Sequence, residues 1–157
     1  MEVFKPIELS DRDLFQRYLG EYNFNTYEYT FLTLYIWRKM CNVQYSIIDD
    51  ALIIKKSTKN TGSYFMQPIG YNKGNLKDIV KKLDEIKKSD PAFKCLFRDV
   101  EMPFLYELID NFGYNICLCE DVNNFDYLYS SKQLISLPGH KYHRKKNQYN
   151  QFIRKYN

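Results

Sequence analysis

The residues best suited to chemistry lie at the C-terminal end. From Gly139 to Asn157 the chain holds six basic residues, Lys141, Arg144, Lys145, Lys146, Arg154 and Lys155, and no Asp or Glu. The whole chain carries +4. The part before Gly139 has 17 basic against 19 acidic residues and sums to −2. Positive charge is therefore a property of one terminal element. At about 100° per residue, Tyr142, Tyr149, Ile153 and Tyr156 fall on one side of a helix, with Phe152 beside them. Lys141, Arg144 and Lys155 flank that stripe, and His143, Asn147, Asn150 and Arg154 form a separate polar row. Arg offers a planar fork and Lys a point charge to phosphate. Asn offers both donor and acceptor to a ribose, a base edge or the main chain. The pattern fits a surface that meets nucleic-acid phosphates or an anionic lipid head group. A solvated helix face, its cations set against the negative dipole end, has the same spacing.

Other candidates are weaker. Gln67-Pro68-Ile69-Gly70-Tyr71-Asn72-Lys73-Gly74 follows a strand and precedes a long helix. Coenzyme A-dependent acetyltransferases of the GNAT (N-acetyltransferase-like) fold carry a Q/R-x-x-G-x-G/A loop at that junction, whose amides grip a pyrophosphate. Gln67 and Gly70 match it. The second glycine is displaced to Gly74, and Pro68 removes a donor, so no cofactor is expected. His140 and His143 share a helix face at i, i+3 without a third ligand, so no metal is expected. Four cysteines, Cys41, Cys95, Cys117 and Cys119, lack C-x-x-C spacing and read as buried free thiols of a reducing compartment. Fifteen Tyr, eleven Phe and one Trp could stack on bases, although a compositional bias of the genome explains them as well.

The elements that must hold these groups follow from periodicity. Val3 to Ile7 reads as a strand, and Ser10 caps a helix that buries Leu14, Phe15, Tyr18 and Leu19 and ends at Gly20. Thr30 to Met40 is apolar nearly all round, which predicts a largely buried helix; its Thr, Tyr, Phe and Ile content makes a strand the competing reading. Val43–Ile48 and Ala51–Lys56 form a hairpin about Asp49-Asp50. Ser63 to Gln67 is a strand, and Leu76 to Lys88 is the clearest amphipathic helix. Strand Phe93–Phe97, helix Met102–Phe112 and strands Tyr114–Cys119 and Phe125–Tyr129 complete the order. This predicts an α+β fold of three layers, a mixed sheet with helices on both faces and a basic C-terminal helix. At 157 residues the body is one domain, 1–138, with 139–157 as the terminal helix. The first residues lack the apolar core of a signal peptide, and no run of about 18 apolar residues exists. A soluble, cytoplasmic protein is expected.

Asp126-Tyr127-Leu128-Tyr129, followed by Leu134, Gly139, the Lys/His/Arg cluster, Asn147, Asn150 and Phe152, resembles the tail of the phosphatidylglycerol lysyltransferase C-terminal-domain-like family. Phe4-Lys5-Pro6-Ile7, Tyr29-Thr30-Phe31, Tyr35-Ile36-Trp37-Arg38, Leu52-Ile53-Ile54-Lys55 and Tyr64-Phe65-Met66 with Pro68-Ile69-Gly70 lie in the family's order. The resemblance implies a GNAT-like sheet and aminoacyl transfer from an aminoacyl-tRNA to an amine or a lipid hydroxyl, without a metal. Lys141, Arg144, Lys145 and Lys146 would then meet the tRNA, Asn147 and Asn150 would hold the geometry, and Asp126 and Tyr129 would line the cleft. Family members carry two such halves joined by the basic helix. This chain has room for the first half and the helix, so a second GNAT-like domain, or another copy of the chain, is expected to dock on that helix. Two other readings stay open: a non-catalytic module for nucleic acid or an anionic membrane surface, and a coenzyme A-dependent N-acyltransferase.

Overall fold

The computed structural model describes residues 3–113, 116–122, 125 and 127–156. Two compact units form, Met1–Leu118 and Cys119–Asn157. In the first, strands β1 (Lys5–Pro6), β2 (Gln44–Ile48), β3 (Ala51–Thr58), β4 (Gly62–Phe65) and β5 (Phe93–Phe97) make one sheet in the order β1-β2-β3-β4-β5. The first three pairings are antiparallel, and β4 with β5 is parallel with an irregular register between Ser63 and Phe65. A parallel pair needs a crossover, and helix α3 (Leu76–Ser89) supplies it. The other helices of this unit are α1 (Arg12–Leu19), α2 (Phe31–Ile36) and α4 (Met102–Phe112). Among the described residues no helix is long and apolar enough to cross a membrane.

Alternation along β3 decides the layering. Leu52 and Ile54 pack with Phe15 and Leu19 of α1 and Leu34 of α2. Ala51 and Ile53 pack with Ile79 and Leu83 of α3, together with Phe65 and Phe93. Successive strand residues point to opposite faces, so the buried run Ala51–Ile54 requires helices on both sides. This is the mixed α+β sheet that the element order predicts. Leu76 and Val80 on a neighbouring stripe of α3 meet Phe104 and Leu108 of α4 in a third apolar cluster.

The β2–β3 turn is strained and well supported. Asp49 and Asp50 take φ of 48° and 65°, the left-handed region that costs non-glycine residues energy. Lys82 binds the Asp49 carboxylate at 2.6 Å, Asn75 Nδ2 donates to the Asp49 carbonyl at 3.0 Å, and Tyr18 Oη donates to the Asp50 carbonyl at 3.0 Å. Gly70 lies against the same tyrosine with φ +80°, and a Cβ there would come within 2.7 Å of the Tyr18 ring.

Lys56 continues the β3 row that carries Leu52 and Ile54, yet only 6% of its side chain is exposed. Its Nζ lies 2.6 Å from Glu28 Oε2 and 3.8 Å from Asp99 Oδ2. Tyr29 Oη donates to the Asp99 carbonyl and accepts from the Gln67 amide at 3.3 Å. The Gln67 side chain accepts from the Glu101 amide at 2.9 Å, and the Glu101 carboxylate accepts from the amides of Asn25 and Thr26. Burial, opposed by the charges of Lys56 and Arg98, holds the Asp99 carboxyl above the usual carboxylate range. Burial also pushes the Tyr29 and Tyr64 hydroxyls well up, so both stay protonated donors.

Four sequence expectations are corrected. The second helix is short: α2 ends at Ile36, where Arg38 Nη1 donates to the Tyr35 carbonyl at 2.6 Å and its guanidinium stacks 3.7 Å over that ring. Only Leu34 of α2 is buried, while Leu32, Ile36, Trp37 and Met40 are exposed. The first helix is entered through Asp11, which accepts from the Glu8 amide at 2.8 Å, rather than through Ser10. Residues 116–119, 125 and 127–129 form no strand; their strand-forming side chains find no ladder among the described residues, and propensity without a pairing edge does not make a strand. Tyr114, Asn115 and Asp126 lie outside the described residues. The thiols of Cys117 and Cys119 are exposed and those of Cys41 and Cys95 half-buried, so none is a fully buried thiol.

Replacing Gly70 by Ala is expected to destabilise the unit by about 1–3 kcal/mol in urea unfolding, because a left-handed φ and a contact too close for a Cβ coincide. Lys56→Met should cost about 2–3 kcal/mol at neutral pH, since two carboxylates lose their cation while Glu28 keeps some solvent. An acid whose folded pKa is raised stabilises the folded state as pH falls toward its unfolded pKa. The Lys56→Met deficit should therefore shrink between about pH 7 and about pH 4. A deficit that does not change with pH would remove Asp99 from this account.

Candidate functional site

The loop after β4 uses its backbone donors internally. The Gln67 amide bonds Tyr29 Oη, and the Ile69 amide returns to the Leu52 carbonyl at 3.1 Å. The Gly70 amide donates to Tyr22 Oη at 2.9 Å, and the Gly74 amide to Asn72 Oδ1 at 3.1 Å. The Asn75 amide goes to the Asn72 carbonyl at 3.0 Å. A pyrophosphate cradle needs several free amides converging on one point, and these five are committed elsewhere. Tyr71 turns away and donates to Glu107 Oε2 at 2.6 Å. Gln67 and Gly70 have structural duties here: one anchors the Glu101 amide, the other lets Tyr18 approach.

The second unit carries the basic element. Helix α5 (Ser131–Ser136), a tight turn His140–Tyr142 and helix α6 (His143–Tyr156) follow one another. Leu137 and Gly139 both take positive φ between them. Tyr142 is buried and donates to Gln133 Oε1 of α5 at 2.9 Å, which fixes where α6 starts. Lys141, Arg144, Lys145, Lys146 and Arg154 are all exposed. Among the described residues none of them shares an ion pair with a carboxylate, in keeping with a stretch that has no Asp or Glu. Lys145 Nζ lies 4.8 Å from the centre of the Tyr129 ring, which brings together a predicted phosphate ligand and a predicted cleft residue.

His143 Nδ1 and Asn147 Nδ2 are 3.5 Å apart, one turn along the same face. Asn150 and Arg154 continue that polar row in solvent. His140 and His143 stack with ring centres 6.2 Å apart, and no cluster of three potential metal ligands occurs among the described residues. The apolar stripe stays largely uncovered: Tyr149 and Phe152 are each 59% exposed and Tyr156 65%. Exposed aromatic surface flanked by cations on one helix is the composition of a contact surface.

Lys56 and Glu28 were not legible as a site. Lys56 looks like one of two ordinary lysines ending a strand, and Glu28 like a solvated acid. The partners are 28 and 43 residues away, in a turn and in the segment after β5. A lysine in register with two core residues of a double-sided strand was the one usable signal.

Comparison with known proteins follows the same lines. No match is found among curated proteins. A crystal structure titled as a conserved protein of unknown function from Bacteroides thetaiotaomicron is similar, with a TM-score of 0.78 and 26% identity. The similarity covers 99% of this chain and 51% of that one, so this chain spans about half the length of that protein. The family described as phosphatidylglycerol lysyltransferase, C-terminal, matches residues 20–157, a span that includes both α6 and the Lys56 cluster. This chain belongs to the phosphatidylglycerol lysyltransferase C-terminal family.

Proposed function

We propose that this chain is the first, GNAT-like half of an aminoacyl transferase that takes its acyl group from an aminoacyl-tRNA. The observation that supports the reading is the set of exposed cations on the turn His140–Tyr142 and α6, which pair with no carboxylate among the described residues and lie inside the family match. An aminoacyl-tRNA is an ester and is already activated. The acceptor hydroxyl or amine attacks the ester carbonyl, the ribose oxygen leaves, and the acceptor's proton goes to the leaving oxygen or to solvent. Such a reaction asks for positioning and charge stabilisation. Lys141, Arg144, Lys145 and Lys146 neutralise tRNA phosphates, with Arg154 at the end of the row. His143, Asn147 and Asn150 supply hydrogen bonds beside them, and Tyr129 lines the cleft. Segment 139–157 acts as the connector, and a second GNAT-like domain or a second copy covers Tyr149, Phe152 and Tyr156.

A second reading has its own support. Exposed aromatics next to lysines also suit a helix lying in an anionic membrane interface, with the chain acting as a binding module. Titration with aminoacyl-tRNA and with vesicles containing phosphatidylglycerol separates the two. The transferase reading expects salt-dependent tRNA binding. Lys141, Arg144 and Lys145 together changed to Ala should flatten the slope of log affinity against log salt by about two to three. Unchanged affinity in that triple variant, or vesicle binding alone, would set the tRNA role aside. Saturating acetyl-coenzyme A is expected to leave Tm where it is, whereas a ligand at 100 times its Kd would add about 2.7 kcal/mol of stability. A clear rise would restore acetyl transfer.

A further inference from the structure

A pocket of about 200 Å³ opens between the turn Tyr27–Tyr29, helix α2 and strand β3. Tyr27, Glu28, Thr33, Trp37, Cys41 and Lys56 line it, with Leu34 beneath. The functional reading above makes no use of it. Its charges differ in how far they are committed. Lys56 is almost fully buried and has Glu28 and Asp99 as acceptors. Glu28 spends Oε2 on Lys56, makes no hydrogen bond through its other oxygen among the described residues, and keeps its side chain 33% exposed. Asp99 is drawn toward both Lys56 and Arg98, so Glu28 is the carboxylate with capacity to spare. Tyr27 is 60% and Trp37 47% exposed, so two electron-rich rings border the same opening.

A carboxylate with a vacant oxygen, bordered by aromatic rings over an apolar floor, selects an organic cation. The carboxylate takes its N–H bonds, the rings attract its charge, and Leu34 receives its carbon stem. An anionic group would be repelled by Glu28, because the ammonium of Lys56 is already held by Glu28 and Asp99, and a neutral one would cover the free oxygen of Glu28 without giving it a charged partner. We infer that this pocket binds an alkylammonium group, its nitrogen on Glu28 and its stem between Tyr27 and Trp37. The inference does not depend on the tRNA reading: loss of tRNA binding by α6 would leave it standing.

Trp37 is the chain's one tryptophan, so its fluorescence reports on this site alone. Propylammonium titrated through the millimolar range at constant ionic strength should change that signal saturably, and propanol and propionate should not. Glu28→Gln keeps the shape and removes the charge; it should weaken propylammonium by about fivefold or more, with Tm checked for folding. Tyr27→Leu, at an exposed side chain that takes no part in the ion pair, should weaken it about threefold. An equal response to propanol, unchanged affinity in both variants, or no saturable response would each overturn the assignment. Nα-acetyl-lysine amide and vesicles bearing phosphoethanolamine head groups then identify the source. Preference for the first means a lysine side chain, preference for the second a lipid, and binding of propylammonium alone a small soluble amine.

Discussion

Burial of strand β3 on both faces is the constraint from which the first unit follows. Four successive residues, Ala51 to Ile54, are removed from water. A strand in that position cannot be satisfied by a single layer, so α1 and α2 must cover one side and α3 the other. The crossover through α3 then sets β5 parallel to β4. Lys56 lies on the same row two residues beyond Ile54, where the double burial leaves little solvent for a cation. Its ammonium is kept in the interior only because Glu28 and Asp99 arrive from distant turns. One strand thus dictates both the layers and the position of the first unit's most demanding charged group.

The loop after β4 shows how residues that match part of a motif can be put to structural use. Gln67 and Gly70 match a phosphate-cradling pattern, but an amide already bonded to Tyr29, Tyr22 or Leu52 cannot also turn to an anion. Tyrosine hydroxyls and a neighbouring strand have taken these three donors. Gly70 is still required, now because Tyr18 packs where a side chain would be. The second unit divides its labour differently. Tyr142 is buried on Gln133 and starts the helix, whereas the aromatic residues further along α6 stay exposed beside cations that pair with no carboxylate among the described residues. Its local fold is complete without them, which leaves them free for contacts outside the unit. Half the length of the similar Bacteroides protein lies outside the part this chain matches.

Much of this was legible from residue order. Periodicity identified α3, α4, the hairpin and β5, because an apolar stripe and a two-residue turn are encoded within a few positions of each other. Charge counting isolated the terminal helix, since one sign without the other over 19 residues needs no structure to be seen. Motif order was enough to name the family. Less was legible for Thr30 to Met40, where apolar content suggested burial. The Arg38 side chain instead closes the helix early and leaves Trp37 outside, a decision that depends on one side chain reaching a carbonyl.

Residue order by itself settled the amphipathic helices α3 and α4, the β2–β3 hairpin and the separation of charge, each of which depends on neighbours within a turn or two, and the order of its motifs settled the family. Tertiary structure alone decided which amides of the 67–75 loop are spent, that Lys56 joins two carboxylates from other segments, and that residues 116–119 and 127–129 do not form strands. Each of those depends on groups brought together across many residues, where backbone donors, buried charges and pairing edges must find partners that no local pattern specifies.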